Sequence, residues 1–248
     1  LGELSNEGSA GLHFTDGDII YYGGGIVEHE DLGYQQTTPS YEFRSYNTET
    51  GEETAYADIP AGGAGAIWDG KPVIVGAQGL YILDGGQWRT AALRTEKALA
   101  ATVDDNMLYA VTTSNIETYT LGLDANGNVT ATLDGTAEHG EYLGETAVTH
   151  DGDGTTWLMD NLMHTAYAVK GGKLEPTVCE KADSLSTDFS FIGVADGCIY
   201  AFDGTTVTRY TVGDGTPEPL RMLGPFSWYR ATECVGGRLY NFGGTTAY

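Results

Sequence analysis

This chain of 248 residues has little positive charge, little proline, few cysteines and no long apolar segment. Only 12 Lys and Arg stand against 35 Asp and Glu, a formal net charge of −23, which repels phosphate backbones and anionic membrane surfaces. Nucleic acid is therefore not an expected partner. Without a run of 18 apolar residues, membrane insertion is not expected either.

The three cysteines exclude two further classes of protein. Cys179, Cys198 and Cys234 are too few and too irregularly spaced for a disulfide framework or a structural zinc site. Apolar residues recurring with a helical period near 3.6 are also missing. Glycine (36 residues) and tyrosine (16 residues) are abundant instead, a composition typical of short strands joined by tight turns, so we predict an all-β fold.

A repeat runs along the chain. Six short apolar runs, each preceded by a turn, recur at spacings of 35 to 54 residues, and their corresponding positions are Ile19, Val73, Leu108, Trp157, Ile199 and Leu239. Around each run the same order of four short strands is readable, most plainly in the fifth unit as "DFSFIGVADG", "CIYAFDG", "TTVTRYTVGDG" and "TPEPLRML". A repeat of four antiparallel strands with this period predicts the blades of a β-propeller.

The sixth unit breaks off after "RLYNFGGTTAY", before a fourth strand. We predict that residues 1–5, "LGELS", supply that strand and close a six-bladed propeller in which residues 1–248 form one domain. Such closure hides a sheet edge that would otherwise be unpaired. The alternative is a fragment of a longer chain.

The sequence resembles the kelch family of propellers at specific points. These are the diglycine pairs Gly23–Gly24 and Gly243–Gly244, the stretch 45–60, "SYNTETGEETAYADIP", and Trp88 in a predicted fourth strand. The diglycine is absent from units two to five, so the resemblance is to a divergent member. It implies a binding face where the connections from second to third strands, and from blade to blade, emerge around the central channel.

The longest such connection is residues 25–40, "GIVEHEDLGYQQTTPS". Long loops in compact domains are often functional. His29, Glu30 and Tyr34 are therefore candidate ligand-binding residues. The acidic side chains around them could hold a divalent cation such as calcium or act as acid and base, although a solvated acidic loop is the favoured interpretation.

Further candidates come from the other predicted connections. Trp228, Tyr229 and Arg230, in "GPFSWYRATE", could form a stacking platform for a sugar or a peptide, or an aromatic spacer between blades. Tyr142 and His164 are candidates in two other connections. The sequences "DGDG" (151–154) and "DANGN" (124–128) lack the later glutamate of a calcium loop, so we predict hairpin turns there.

No catalytic signature emerges from the sequence. The five histidines form no recognisable metal pair with a nearby cysteine, so no metal site is predicted, and there is no nucleophile triad or phosphate loop. We therefore predict a monomeric binding module that recognises a glycan or a protein. The alternative is a carbohydrate-active enzyme of lyase or glycosidase type, with carboxylates and histidine around the channel. Because the chain starts at Leu1, we expect that a preceding segment carried a secretion signal, which makes the protein extracellular or surface-exposed.

Overall fold

A computed structural model of the protein describes most of the chain. The described residues are 11–31, 34–77, 79–93, 95–141, 143, 146–151, 153–160, 165–178, 190–195, 197–203, 205–211, 217–220 and 232–241. All of their regular elements are β-strands, which confirms the all-β prediction. Within this part of the chain, no helix has the length and apolarity needed to cross a bilayer.

Five antiparallel four-stranded sheets follow one another along the chain as blades. The first contains β1 (Leu12–Asp16), β2 (Ile19–Gly23), β5 (Phe43–Asn47) and β6 (Glu53–Ala55). The second contains β7 (Gly63–Trp68), β8 (Lys71–Gly76), β9 (Gly79–Asp84) and β10 (Gln87–Ala92). The third contains β11 (Ala100–Asp104), β12 (Met107–Val111), β13 (Asn115–Leu123) and β14 (Val129–Glu138).

The fourth and fifth blades repeat this pattern. The fourth contains β15 (Thr146–His150), β16 (Thr156–Asp160), β17 (Thr165–Lys170) and β18 (Lys173–Val178). The fifth contains β19 (Ser190–Ala195), β20 (Cys198–Phe202), β21 (Val207–Thr211) and β22 (Pro217–Pro219). In blades two to five each strand pairs with the next strand of the chain, as expected for meanders, whereas in blade one β2 pairs with β5.

Two-residue glycine turns set the register within the blades. Lys170 pairs with Lys173 across Gly171 and Gly172, and both of these glycines have positive φ. Turns with two left-handed residues match the twist of the strands that they join, and glycine adopts that conformation without steric cost. These turns are why the strand boundaries were readable from the sequence.

The prediction of six blades is wrong, because the described residues form five. The segment predicted as a sixth blade is described over 232–241 as a two-stranded sheet of β23 (Thr232–Val235) and β24 (Arg238–Asn241). One hairpin cannot make the four-stranded sheet that defines a blade. Residues 1–10 and 242–248, on which the predicted closure by the N-terminal strand depends, lie outside the described residues. The single-domain assignment of residues 1–248 stays a prediction.

The first strands of the sheets lie at the centre of the molecule. β1 contacts β7, β7 contacts β11, and β15 contacts β19. β23 contacts β19 on one side and β1 on the other, and β15 reaches across to both β1 and β23. The centre is therefore packed with side chains, and the residues where these strands meet are buried.

Aromatic rings hold the first two blades together. Phe14, fully buried on β1, stacks on Tyr21 with ring centroids 5.2 Å apart, and Phe43 contacts Trp88 of the second blade at 5.3 Å. The Trp88 indole Nε1–H donates to the Ala57 carbonyl at 3.0 Å. Trp88 lies on β10, the fourth strand of its blade, as predicted.

The predicted long loop is an extra hairpin. Between β2 and β5 the chain forms β3 (Ile26–Asp31) and β4 (Tyr34–Pro39), which pair with each other as a separate two-stranded sheet. At the base of this hairpin the Ser40 N–H donates to the Gly25 carbonyl at 2.9 Å. The insertion thus leaves and re-enters blade one at nearly the same point.

Candidate functional site

Three ionisable side chains from distant parts of the chain meet where the central strands converge. His13 is the second residue of β1, His150 is the last residue of β15, and Glu233 is the second residue of β23. The Glu233 Oε1 atom lies 2.5 Å from His13 Nδ1 and 2.9 Å from His150 Nδ1. We call these three residues the central cluster.

Strand alternation explains why these residues share the centre. On β1 the neighbours of His13, Leu12 and Phe14, are buried in the apolar packing of blade one. Because successive side chains of a strand point to opposite faces, His13 is directed away from that packing. The three strands that carry the cluster contact one another, so their polar side chains meet.

The cluster is almost closed to solvent. The Glu233 side chain has no exposed surface, and the side chains of His13 and His150 are 11% and 7% exposed. The second carboxylate oxygen of Glu233, Oε2, accepts the backbone N–H of His150 at 2.8 Å. Both carboxylate oxygens are therefore used, as a buried charge requires.

The electrostatics of the cluster favour an ionised glutamate. Burial by itself would raise the pKa of Glu233. The positive charge and hydrogen bonds of His150 and His13 more than offset that effect and bring the pKa down to about 2. The cluster therefore contains a buried carboxylate whose negative charge is offset by the two histidines.

One atom of the cluster lacks a hydrogen bond. Nε2 of His150 is buried and has no hydrogen-bond partner among the described residues. Buried polar atoms without a partner are uncommon. Imidazole nitrogens accept protons and bind metal ions, so the cluster offers groups suited to either chemistry.

A polar turn begins directly after His150, the last residue of β15. The Asp151 carboxylate accepts the backbone N–H groups of Asp153 and Thr155 and the indole N–H of Trp157, the last at 3.1 Å. Asp124 accepts the N–H groups of Asn126 and Asn128, each at 2.8 Å, in the same manner. These side chains satisfy hairpin backbone groups. They confirm the predicted turn at 124–128 and, at the described residues 151, 153 and 154, the predicted turn at 151–154.

Asp151 is expected to titrate near neutrality. Burial, followed by its hydrogen bond and repulsion with Asp153, raises the pKa of Asp151 to about 6. The Trp157 indole N–H resonance should therefore shift with a midpoint near pH 6, because its acceptor gains charge. NMR of indole-15N-labelled protein measures this shift. Asp151→Asn should abolish the titration, and an unchanged midpoint in that variant would contradict the assignment.

The residues predicted from the sequence have mixed placements. His29, Glu30 and Tyr34 lie on the β3–β4 hairpin, where they pair across the strands with Gln36, Gln35 and Asp31, but their side chains lie outside the described residues. Five others lie wholly outside the described residues, namely Tyr142, His164, Trp228, Tyr229 and Arg230. These assignments stay predictions.

Sequence reasoning missed the central cluster. Along the sequence the histidines form no recognisable metal pair with a nearby cysteine, and Glu233 belongs to no recognised motif. A signal was present: "GLHFTDG", "TAVTHDG" and "ATECVGG" are predicted first strands of three units, and each contains one of the three cluster residues. His139, by contrast, is a loop residue whose ring nitrogens bond to the backbone at Thr112 and Glu141.

Comparison with known proteins identifies the fold. No family model matches the chain, and no curated protein matches it. Among solved structures it is similar to a catalytically inactive histidine-to-alanine variant of virginiamycin B lyase from Staphylococcus aureus with quinupristin. The two share 13% identity with a TM-score of 0.51, over 96% of this chain and 79% of that one. A selenomethionine form of the same lyase matches at 13% identity and TM-score 0.47, over 89% of this chain and 72% of that one.

At this identity the likeness establishes architecture and nothing about activity. Three observations agree on the fold: the five described four-stranded blades, the contacts among their first strands and the likeness to the lyase structure. The chain is a β-propeller.

Proposed function

We propose that this propeller is a secreted or surface-exposed binding module of kelch-like type. It recognises a glycan or a protein through the face from which the β3–β4 hairpin emerges. The observation that carries the proposal is the hairpin itself, a separate sheet inserted between the second and third strands of blade one. In kelch-like propellers this connection belongs to the binding face.

The composition and exposure of the hairpin support a contact role. Each strand has six residues, so the hairpin extends about 20 Å. Gln36, Thr38 and Pro39 are exposed. An isolated two-stranded hairpin is marginally stable in water. The hairpin pairs with no strand of blade one, so a ligand that packs against it would stabilise it.

Removing the hairpin tests the proposal. Because Gly25 and Ser40 are hydrogen-bonded at its base, residues 26–39 can be replaced by two glycines without disturbing β2 or β5. We expect selective binding of the intact protein on a glycan array, with at least a tenfold loss in the excised variant and in Trp228→Ala. Circular dichroism should show that both variants retain the fold. Selective binding that persists in the excised variant would contradict the placement, and a blank array would remove the glycan ligand.

A second candidate function is enzymatic, of lyase type. It is supported by the central cluster, where Glu233 orients His150 as a carboxylate orients a general base, and by the likeness to a lyase fold. The glycosidase version needs two carboxyl groups about 5–10 Å apart, whereas the central cluster holds a single carboxylate. Turnover of quinupristin or of an acidic polysaccharide by the protein, abolished in His150→Asn, would favour this candidate.

A further inference from the structure

We propose that His13, His150 and Glu233 together bind one divalent transition-metal ion of the zinc type. This goes beyond the binding function proposed above and does not depend on it. The ion would take Nδ1 of each histidine and Oε1 of Glu233, and the proposal stands on the geometry of these three atoms.

The ligand atoms are already at nearly the required spacing. One such atom from each residue lies within 4.8 Å of the other two. Zinc binds histidine nitrogen and carboxylate oxygen at about 2.0–2.2 Å, so tetrahedral ligand atoms sit roughly 3.4 Å apart. The contacts of 2.5 and 2.9 Å to Glu233 Oε1 would open by less than about 1 Å.

The donor types select the class of metal. Two imidazole nitrogens and one carboxylate oxygen suit zinc and its transition-metal neighbours, whereas calcium takes six to eight oxygens. The cluster is therefore unsuited to calcium, the ion considered for the acidic hairpin. Three protein ligands also leave a fourth position open, as in catalytic rather than structural zinc sites.

The negative charge of the buried Glu233 also favours a divalent cation at this place. A buried carboxylate needs a positive partner, and among the described residues Glu233 contacts the two histidines. A divalent ion held by the same three side chains would supply that positive charge. The Glu233 Oε2 bond from the His150 N–H involves no metal-ligand atom and can hold the carboxylate in place throughout.

Direct metal titration tests the proposal. The whole chain is stripped with a chelator and titrated with Zn2+ in excess Ca2+, which saturates weak acidic surface sites. We expect one tight site per chain. In His13→Asn and His150→Asn the amide nitrogen replaces Nδ1, so the hydrogen bond to Glu233 is kept while the metal-binding lone pair is removed. Zinc affinity should fall at least 100-fold in each.

His139→Asn is the matched control, because His139 lies outside the cluster, and its zinc affinity should equal that of the unaltered protein. If the asparagine variants fail to fold, Co2+ added to the unaltered protein decides the question, because a low-symmetry nitrogen and oxygen site gives intense visible absorption. Absence of stoichiometric Zn2+ binding and of that absorption would overturn the proposal. The cluster would then have only the structural role of joining three central strands. Equal losses in the cluster variants and in His139→Asn would overturn it as well.

Discussion

Truncation of Glu233 to alanine is expected to lower the free energy of unfolding by about 3–5 kcal/mol, the usual cost of breaking a buried ion pair from one side. The side chain is completely buried and accepts bonds from both histidines and from the His150 backbone. Its loss removes the acceptor of these bonds from the place where three central strands meet. For a chain of this size the melting temperature should fall by roughly 10 °C.

Chemical denaturation monitored by circular dichroism measures this loss. The control is Glu175→Ala, since Glu175 is 62% exposed and lies 3.9 Å from Lys170, and exposed pairs of this kind contribute little. Glu233→Gln keeps an acceptor oxygen and should lie between the two. A Glu233→Ala protein as stable as the control would show that the cluster is not a structural element.

Glu233 also makes the stability of the folded protein depend on pH in the acid range. The pKa of Glu233 is about 2 in the folded protein, against 4.5 as its ordinary value. Its stabilising contribution is therefore fully present above about pH 4.5 and is lost as the pH falls towards 2, because the unfolded chain takes up the proton first. Between these pH values stability should fall less steeply in Glu233→Gln than in the unaltered protein.

Substitution of Gly65 by alanine is the second large expected effect, with a loss of about 3 kcal/mol, at the upper end for overpacking. A Cβ on Gly65 would overlap Cδ1 of the Phe14 ring. That ring is fully buried and contacts the rings of Tyr21 and Phe43, which also contact each other. It has no free space to move into, so the first two blades must separate or repack.

Gly62→Ala is the matched control for Gly65→Ala. Nothing lies within 4 Å of a Cβ at Gly62, and its φ is not in the left-handed region. Thermal unfolding of the two variants should differ by roughly 6–12 °C. Equal melting temperatures would mean that Phe14 does not pack on Gly65 in solution.

The local architecture of this protein was readable from its residues. Turn pairs such as Gly171–Gly172 and alternating apolar runs act over two to eight residues, and they set strand, turn and register without help from the rest of the chain. They predicted the β-propeller and the turns at 124–128 and 151–154, whereas the fourth-strand position of Trp88 was implied by the resemblance to kelch propellers.

Other features depend on what the strands pack against. The number of blades is set by how many sheets complete four strands, and a period of 35 to 54 residues does not decide that for 232–241. A polar run such as 26–39 can be a loop or a hairpin, because it lacks the alternation of apolar and polar residues that indicates a strand in a sequence.

The chain by itself determined an acidic, all-β propeller built from turn-bounded strands, because those properties follow from composition and from interactions between near neighbours. Only the tertiary structure brought His13, His150 and Glu233 together, because residues 137 and 83 positions apart meet through the convergence of three central strands. No spacing rule along the sequence encodes that meeting.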